Sequence, residues 1–324
     1  MTSPTVLITA RSFGTGTRDL TAELSADGVR VLRGPADHRD LAPLLAEADA
    51  WIAGTGPVTD EHLAAAPRLR IVARYGVGVD AVDLAAAARR GILVTNTPGA
   101  NSGAVADHTV ALLLAALRGV AAGDKRVRGG SWTVGERARE LGSLTVGVVG
   151  FGRIGRGVAA RLRGFGCRVL ATDPFVAADA IAAAGPEPVD AEVIPAGSDV
   201  VTLHAPGDAV VVTEAWLAAA RPGLVMVNTA RAALVDEAAL AGALRAGRVA
   251  AYAADTLLAE SGGDSPLLAD DLADRVTVTP HTAAQTVEAV DLMGLGAVAA
   301  VRAVLAGHEP DPAVVVVGRE RLLT

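Results

Sequence analysis

One glycine-rich turn, Gly150-Phe-Gly-Arg-Ile-Gly155, constrains the fold of this chain more than any other segment. An apolar run typical of a strand, residues 144–149, precedes the turn, and a helix-forming segment, residues 157–163, follows it. A second apolar run, residues 168–172, comes next and ends on Asp173. The order of strand, glycine turn, helix, strand and acid predicts a βαβ unit, in which a helix joins two parallel strands.

The three glycines of the turn favour a dinucleotide as its ligand. Gly150 permits a tight turn out of the strand, Gly152 lets the backbone approach a pyrophosphate, and Gly155 lets the helix pack close to the strand. The start of the helix adds free N–H groups and the positive end of the helix dipole. The predicted cofactor contacts in this segment are Gly150, Gly152, Arg153, Ile154 and Gly155.

The acid that ends the second strand indicates which dinucleotide is bound. Asp173 follows 18 residues after Gly155, near the expected spacing of an acid that binds the ribose 2′-hydroxyl. Because a carboxylate would repel a 2′-phosphate, the sequence predicts NAD rather than NADP. The alternatives are a glycine-rich turn in another kind of α/β protein and the nucleotide site of a methyltransferase.

Composition limits the class of protein. A length of 324 residues suggests about two domains, and a hydrophobic content of 51% suffices for a sizeable core. The net charge of −7 argues against a nucleic-acid partner. A single cysteine, Cys167, allows no internal disulfide, and we expect no metal site. Residues 1–10 lack a signal-peptide pattern, and the apolar segment 104–122 carries ionisable side chains, so we expect a soluble, cytoplasmic protein with no membrane partner.

Short apolar strands alternate with alanine-rich helices along most of the chain. This pattern predicts parallel sheets with helices on both faces. It runs up to residue 95 and resumes after residue 144, with a long helix expected over residues 102–122 between the two parts. A second long helix is expected over residues 286–306. A last extended piece, residues 313–317, is expected to pack back on the first half of the chain.

Polar residues that directly follow the predicted strands are candidate site residues, because ligands of such folds bind at the carboxyl ends of the strands. Arg231, Glu260 and His281 form a coherent set. Arginine can hold a carboxylate or a carbonyl, and histidine can give a proton to a carbonyl oxygen as hydride arrives. A carboxylate on the other ring nitrogen stabilises the charged imidazole. Singly, the three residues are better explained as a surface arginine, a solvated glutamate and a capping histidine.

Several ordered motifs resemble the NAD-dependent D-2-hydroxyacid dehydrogenase family, in the branch similar to D-3-phosphoglycerate dehydrogenase. The resemblance covers nearly the whole chain. Besides the glycine turn, the motifs that carry it are residues 73–80, 94–102, 228–231, 234–237 and 279–281. The resemblance implies a fold of class α/β with two doubly wound parallel-sheet domains. The implied Rossmann NAD-binding domain, residues 99–284, is inserted into a discontinuous substrate domain of residues 1–98 and 285–324.

The family resemblance also implies a reaction and the residues that perform it. The reaction would interconvert a 2-keto acid and a D-2-hydroxy acid, and the protein would be a homodimer. Arg231 would bind the substrate carboxylate and carbonyl, His281 would be the general acid/base, and Glu260 would be its partner. The N–H groups of Val77 and Gly78 would hold the carboxylate. The other implied substrate contacts are Arg74, Tyr75 and Asn101. The other implied cofactor contacts are Asp173, His204, Thr229, Ala230 and Asp255.

Four loops depart from the family pattern. Ala232 and Ala233 stand where the family usually has two glycines, and Ser261 stands where proline usually follows the glutamate. Because alanine enters positive φ less easily than glycine, the arginine loop is expected to be reshaped. The segment 204–222 is shorter than usual. The loop 54–59 has no arginine or lysine, whereas phosphoglycerate-specific members tend to place a cation there. The sequence therefore does not identify the side chain of the substrate.

Two other functions remain open at this point. One is an oxidoreductase of the same fold that acts on a phosphonate, a phosphite or formate. The other is an NAD(H)-sensing binding protein, because the C-terminal-binding-protein corepressors resemble this fold. Kinetics on a panel of substrates would distinguish the first alternative from a hydroxyacid dehydrogenase. Cofactor binding without turnover of any hydroxy or keto acid would favour the second.

Overall fold

The computed structural model describes residues 3–135, 138–207, 209–261 and 264–318. The chain divides into two compact units. The first unit is discontinuous and consists of residues 1–101 and 284–324, whereas the second consists of residues 102–283.

Thirteen strands and twelve α-helices are found within the described residues. The strands are β1 (Thr5–Ile8), β2 (Arg30–Arg33), β3 (Ala50–Ala53), β4 (Ile71–Arg74), β5 (Leu93–Thr95), β6 (Thr145–Val149), β7 (Arg168–Thr172), β8 (Glu187–Pro188), β9 (Val200–Leu203), β10 (Leu224–Asn228), β11 (Val249–Ala254), β12 (Val276–Val278) and β13 (Val315–Val317). The helices are α1 (Leu20–Ala26), α2 (Ala42–Leu45), α3 (Asp60–Ala64), α4 (Leu84–Arg89), α5 (Ser102–Arg118), α6 (Val120–Arg128), α7 (Arg153–Leu162), α8 (Ala178–Ala183), α9 (Val193–Gly197), α10 (Glu214–Ala219), α11 (Glu237–Arg245) and α12 (Val287–Leu305).

The first unit is built on a six-stranded sheet in the order β13-β5-β4-β3-β1-β2. Strands β1, β3 and β4 are buried along their whole length, as expected for parallel strands covered by helices on both faces. The last strand, β13, pairs with β5 and is antiparallel to it. The expectation that residues 313–317 pack back on the first half is therefore confirmed, but this strand makes one edge of the sheet antiparallel.

The second unit is built on a seven-stranded, fully parallel sheet in the order β12-β11-β10-β9-β6-β7-β8. Counted from β6, the first six strands follow the order 3-2-1-4-5-6 of dinucleotide-binding folds. The predicted class of two doubly wound α/β sheets is confirmed. The strand order reverses beside β6, which places the glycine turn at the switch point where such sheets bind ligands.

The long helix expected over residues 102–122 is shorter in the structure. Helix α5 ends at Arg118 because Gly119 adopts a left-handed conformation with φ of 59°. Helix α6 then continues at an angle of 61° to α5. Within the described ranges, no single helix is long and apolar enough to cross a membrane, and only this bent pair reaches the required length and composition together.

Candidate active site

The backbone of the glycine turn is closely packed at two positions and open at a third. Gly150 has φ of +90°, and a Cβ on it would lie 2.6 Å from the backbone nitrogen of Ala205. A Cβ on Gly155 would overlap the carbonyl oxygen of Gly150. At Gly152, in contrast, no atom lies within 4 Å of an added Cβ. Gly150 and Gly155 are therefore required by the fold, whereas Gly152 leaves an open approach to the backbone.

Helix α7 offers its N-terminus at this open approach. Gly152 is the N-cap residue and provides no side-chain cap, so the N–H groups of the first turn lack partners within the helix. The buried side of α7 carries Val158, Ala159 and Leu162, at helical spacing, and holds the helix against the sheet. These exposed donors and the helix dipole suit a pyrophosphate.

Asp173 directly follows β7 and is connected to the glycine turn. Its Oδ2 accepts a hydrogen bond from the backbone N–H of Phe151 at 2.7 Å, and its Oδ1 accepts one from Phe175 at 2.8 Å. Each carboxylate oxygen keeps a further lone pair for a ligand hydroxyl. A cavity of about 190 Å³ adjoins the ends of β6 and β7. Its lining residues are Val149, Thr172, Ala191, Glu192, Val211 and Trp216.

His204 follows β9 on the other side of the switch point. Its backbone N–H donates to Val149 O at 2.7 Å, and its Nε2 lies 2.9 Å from Thr202 Oγ1. Its Nδ1 is shielded from water and has no hydrogen-bond partner among the described residues. Burial lowers the pKa of His204 to about 3, so the ring is neutral near pH 7. An unpartnered buried nitrogen beside the glycine turn is a hydrogen-bonding group that a dinucleotide could satisfy.

The turn that carries Arg231 is fixed by an asparagine at the end of β10. Asn228 is fully buried, and its Nδ2 donates to Arg231 O at 2.9 Å while its Oδ1 accepts from Ala230 N at 3.0 Å. Arg231 Nη1 donates to Ala230 O at 2.9 Å. The following segment, Ala232–Leu234, is a 3-10 turn, and its alanines have no positive φ.

His281 and Glu260 are in direct contact. His281 Nδ1 lies 2.9 Å from Glu260 Oε2, and the two side chains are 49% and 39% exposed. Glu260 Oε1 in turn accepts from Leu257 N at 3.1 Å. The hydrogen bond to Glu260 raises the pKa of His281 above its ordinary value of 6.5, although burial and the charge of Arg231 oppose this change. The imidazole therefore holds its proton at higher pH than a free histidine does.

The turn around His281 is held by Asp255, which is 1% exposed. Asp255 Oδ1 accepts from Thr282 N at 2.9 Å, its Oδ2 accepts from Ala283 N at 2.8 Å, and its carbonyl oxygen accepts from His281 N at 3.0 Å. His281 has φ of +52°, which is unfavourable for a residue with a side chain. The bonds to Asp255 hold the backbone in this conformation. Strained backbone of this kind is concentrated at functional sites.

Three residues outside the predicted set of site residues complete this unit's site. Thr279 Oγ1 donates to Asp255 Oδ1 at 2.5 Å, and His108 Nε2 lies 2.9 Å from the same Thr279 Oγ1. Asn228 is the third. Asn228 and Thr279 both end or directly follow a strand, a position that could have singled them out. His108 is contributed by α5, far along the sequence, and does not follow a strand.

Most of the predicted substrate contacts of the first unit lie at the end of β4, whereas Asn101 directly precedes α5. Arg74 is 9% exposed, and its Nη1 donates to Ala53 O at 3.3 Å and to Tyr75 O at 2.5 Å. The Tyr75 hydroxyl donates to Val290 O at 3.0 Å, within the core. Asn101 Oδ1 is buried without a hydrogen-bond partner in the described part of the chain. Arg74 and Tyr75 therefore also stabilise this unit.

The chemistry available to these side chains is acid–base and anion binding. His281 can give or take a proton, and Arg231 offers a planar set of donors to a carboxylate. In the ranges that the structure describes, no group of three or more His, Cys, Asp or Glu side chains is placed to hold a metal ion.

The sequence of this chain is similar to those of known dehydrogenases. Residues 110–283 match the family model described as D-isomer specific 2-hydroxyacid dehydrogenase, NAD binding domain. The D-3-phosphoglycerate dehydrogenase of Mycobacterium leprae (strain TN) is 43% identical over 295 residues, which are 90% of this chain and 55% of the relative. The chain thus spans about half the length of the curated relatives that it matches.

Solved structures match the chain over nearly its whole length. A protein from Thermus thermophilus is 34% identical with a TM-score of 0.84, and the match covers 97% of this chain and 100% of that one. The D-lactate dehydrogenase of Aquifex aeolicus, complexed with NAD and lactic acid, is 26% identical with a TM-score of 0.84. That match covers 97% of this chain and 99% of the other.

Proposed function

Because the chain belongs to the D-isomer-specific 2-hydroxyacid dehydrogenase family, we propose that it catalyses the reversible reduction of a 2-keto acid to a D-2-hydroxy acid, with NAD as its cofactor. The observation that carries this proposal is the contact of 2.9 Å between His281 Nδ1 and Glu260 Oε2. It lies in the same unit as the glycine turn. A D-3-phosphoglycerate dehydrogenase is among the relatives, so a phosphorylated keto acid belongs among the candidate substrates.

The second unit, predicted as residues 99–284, is the part that we propose to hold NAD. NADH supplies the hydride when it is bound. The open space at Gly152 and the uncapped start of α7 support a pyrophosphate site there. Asp173 would accept hydrogen bonds from the ribose hydroxyls. The further proposed contacts are Gly150, Arg153, Ile154, Gly155, His204, Thr229, Ala230 and Asp255.

His281 would supply the proton of the reaction. When the carbonyl carbon accepts hydride, the negative charge forms on the carbonyl oxygen, and protonated His281 gives its proton to that oxygen. Glu260 occupies Nδ1, which leaves Nε2 for the transfer. The carboxylate also stabilises the charged imidazole, so a larger fraction of it is protonated near neutral pH than of a free histidine. In the reverse direction the neutral ring removes the hydroxyl proton.

Arg231 would bind the carboxylate and carbonyl of the substrate. Its turn is held by Asn228, which limits the positions that the guanidinium can reach. We propose that the discontinuous unit, predicted as residues 1–98 and 285–324, is the substrate domain. Its proposed substrate contacts are Arg74, Tyr75, Val77, Gly78 and Asn101.

A homodimer in the cytoplasm completes the proposal. The homodimer rests on the family resemblance, whereas the cytoplasmic location is the expectation from the sequence pattern stated above. The homodimer has additional support from Trp132 and Val134, two apolar side chains of the second unit that are 85% and 96% exposed. Large exposed apolar side chains are typical of interaction surfaces.

A screen of NADH oxidation tests the proposed reaction. Purified protein is mixed with NADH and with a panel of 2-keto acids, half of which carry a phosphate group. We expect turnover of at least one keto acid and D-stereochemistry of the product. NADH binding without turnover of any keto acid, or of any hydroxy acid with NAD, would contradict the proposal and favour a binding protein.

A further inference from the structure

Two consecutive carbonyl groups after β4 are held from the end of β5. Gly76 O accepts a hydrogen bond from Thr97 N at 3.0 Å. Val77 O accepts one from the side-chain Nδ2 of Asn96 at 2.8 Å. Asn96 is itself fixed, because its backbone N–H donates to Val314 O at 3.0 Å. Both carbonyls therefore point toward one short, anchored segment.

The direction of these carbonyls determines the direction of two N–H groups. A trans peptide is planar, and its C=O points opposite to the N–H of the next residue. No cis peptide bond is found in the described chain. Because the carbonyls of Gly76 and Val77 both point toward Asn96 and Thr97, the N–H groups of Val77 and Gly78 both point away from them. Gly76 can adopt the required φ of +134° because it has no side chain.

The two N–H groups form a donor pair suited to an anion. Neither has a hydrogen-bond partner among the residues that the structure describes. Val77 is 37% exposed and Gly78 is partly exposed, so this bend lies at the surface of its unit. Successive backbone N–H groups on one side of a bend bind carboxylates and phosphates.

We propose that Asn96 is a positioning residue that sets this N–H pair for the substrate carboxylate, an inference that rests on the proposed function. Only a hydrogen-bond donor can approach Val77 O, so the amide presents Nδ2 to it. An aspartate has the same shape, but its carboxylate oxygen would repel the carbonyl. The peptide between Val77 and Gly78 would then rotate and carry the Gly78 N–H out of line.

Asn96→Asp and Asn96→Ala test this inference in the full-length protein. We measure KM and kcat for the keto acid that the wild type reduces best, the inhibition constant of oxamate, the Kd of NADH and the Tm. We expect KM and the oxamate constant to rise about tenfold, the usual scale of one hydrogen bond. The kcat should stay within about twofold, because a contact shared by ground state and transition state affects KM alone. The Kd of NADH should not change, and Asn96→Gln, which keeps the donor, should recover part of the affinity.

Unchanged KM and oxamate binding in folded Asn96→Asp would overturn the inference. So would a loss of Tm and of NADH binding that parallels the loss of substrate affinity, since Asn96 would then only stabilise the fold. Failure of the proposed function gives a different result. The wild type would turn over no keto acid, whereas oxamate binding that is weakened in Asn96→Asp would still support the donor pair.

Discussion

His281 Nδ1 lies 2.9 Å from Glu260 Oε2, and this contact joins two loops that are 21 residues apart in the sequence. The glutamate fixes one ring nitrogen and raises the pKa of the histidine. The Asp255 carboxylate accepts hydrogen bonds from the N–H groups of Thr282 and Ala283, which directly follow the histidine. The position and the protonation of the imidazole are thus controlled by two different carboxylates.

His281→Ala should lose most of the turnover. Proton transfer by a positioned side chain contributes about 10²- to 10⁴-fold in rate, so kcat should fall by about this factor. The Kd of NADH should change little, because the glycine turn and Asp173 are not altered. Steady-state kinetics and NADH fluorescence titration provide the measurements. A variant with near-wild-type kcat would rule out His281 as the general acid.

Glu260→Gln should shift the pH profile to lower pH. In the proposed reaction, reduction of the keto acid needs protonated His281, so kcat/KM should decline as pH rises through the raised pKa. Without the carboxylate, that decline should move toward the ordinary value of 6.5. The oxidation direction, which needs the neutral ring, should show the opposite dependence. An unchanged profile would mean that Glu260 does not interact with the catalytic acid.

The sequence predicts the surroundings of the glycine turn better than the surroundings of the proposed catalytic histidine. The glycine turn and Asp173 belong to one βαβ unit, formed by β6, α7 and β7. The local geometry of this unit determines where they meet. The turn of His281, in contrast, depends on side-chain bonds to Asp255, which follows a different strand of the sheet. Periodicity contains no information on such bonds. The sequence also does not predict the break in the helix at Gly119, because a glycine inside a helical pattern is often tolerated.

Gly150→Ala and Gly152→Ala should separate folding from cofactor binding. Gly150 has φ of +90°, and a backbone atom lies 2.6 Å from its added Cβ. Its substitution should therefore lower the free energy of unfolding by at least about 1–3 kcal/mol and the Tm by several degrees. Gly152 has negative φ and open space, so its variant should keep the wild-type Tm. That variant should nevertheless bind NADH more weakly, because the methyl group obstructs the pyrophosphate.

Gly164→Ala is the matched control, since no atom lies within 4 Å of its added Cβ and its φ is not positive. It should leave both the Tm and the NADH affinity unchanged. If Gly152→Ala bound NADH as tightly as this control, the pyrophosphate would lie elsewhere.

Asp173→Asn should change the choice of cofactor. The amide oxygen can still accept the hydrogen bond from Phe151 N, so the glycine turn should remain intact, although the bond from Phe175 N is lost. Loss of the charge should weaken NADH binding about 10- to 100-fold, the scale of a hydrogen bond to a charged group. It should also narrow the preference for NADH over NADPH, because no carboxylate repels the 2′-phosphate. Titration with both cofactors measures this ratio, and an unchanged ratio would contradict the assigned role of Asp173.

Trp132→Glu should weaken the proposed homodimer. Trp132 is 85% exposed in the described chain, and placing a charge at the centre of an apolar contact disfavours association. Sedimentation at several protein concentrations should show a dimer for the wild type and a larger monomer fraction for the variant. Leu292→Glu is a suitable control, because Leu292 is 52% exposed and lies on α12 of the other unit. If both variants dissociated equally, the exposed Trp132 would no longer support a dimer contact at its position. A monomeric wild type would contradict the homodimer itself.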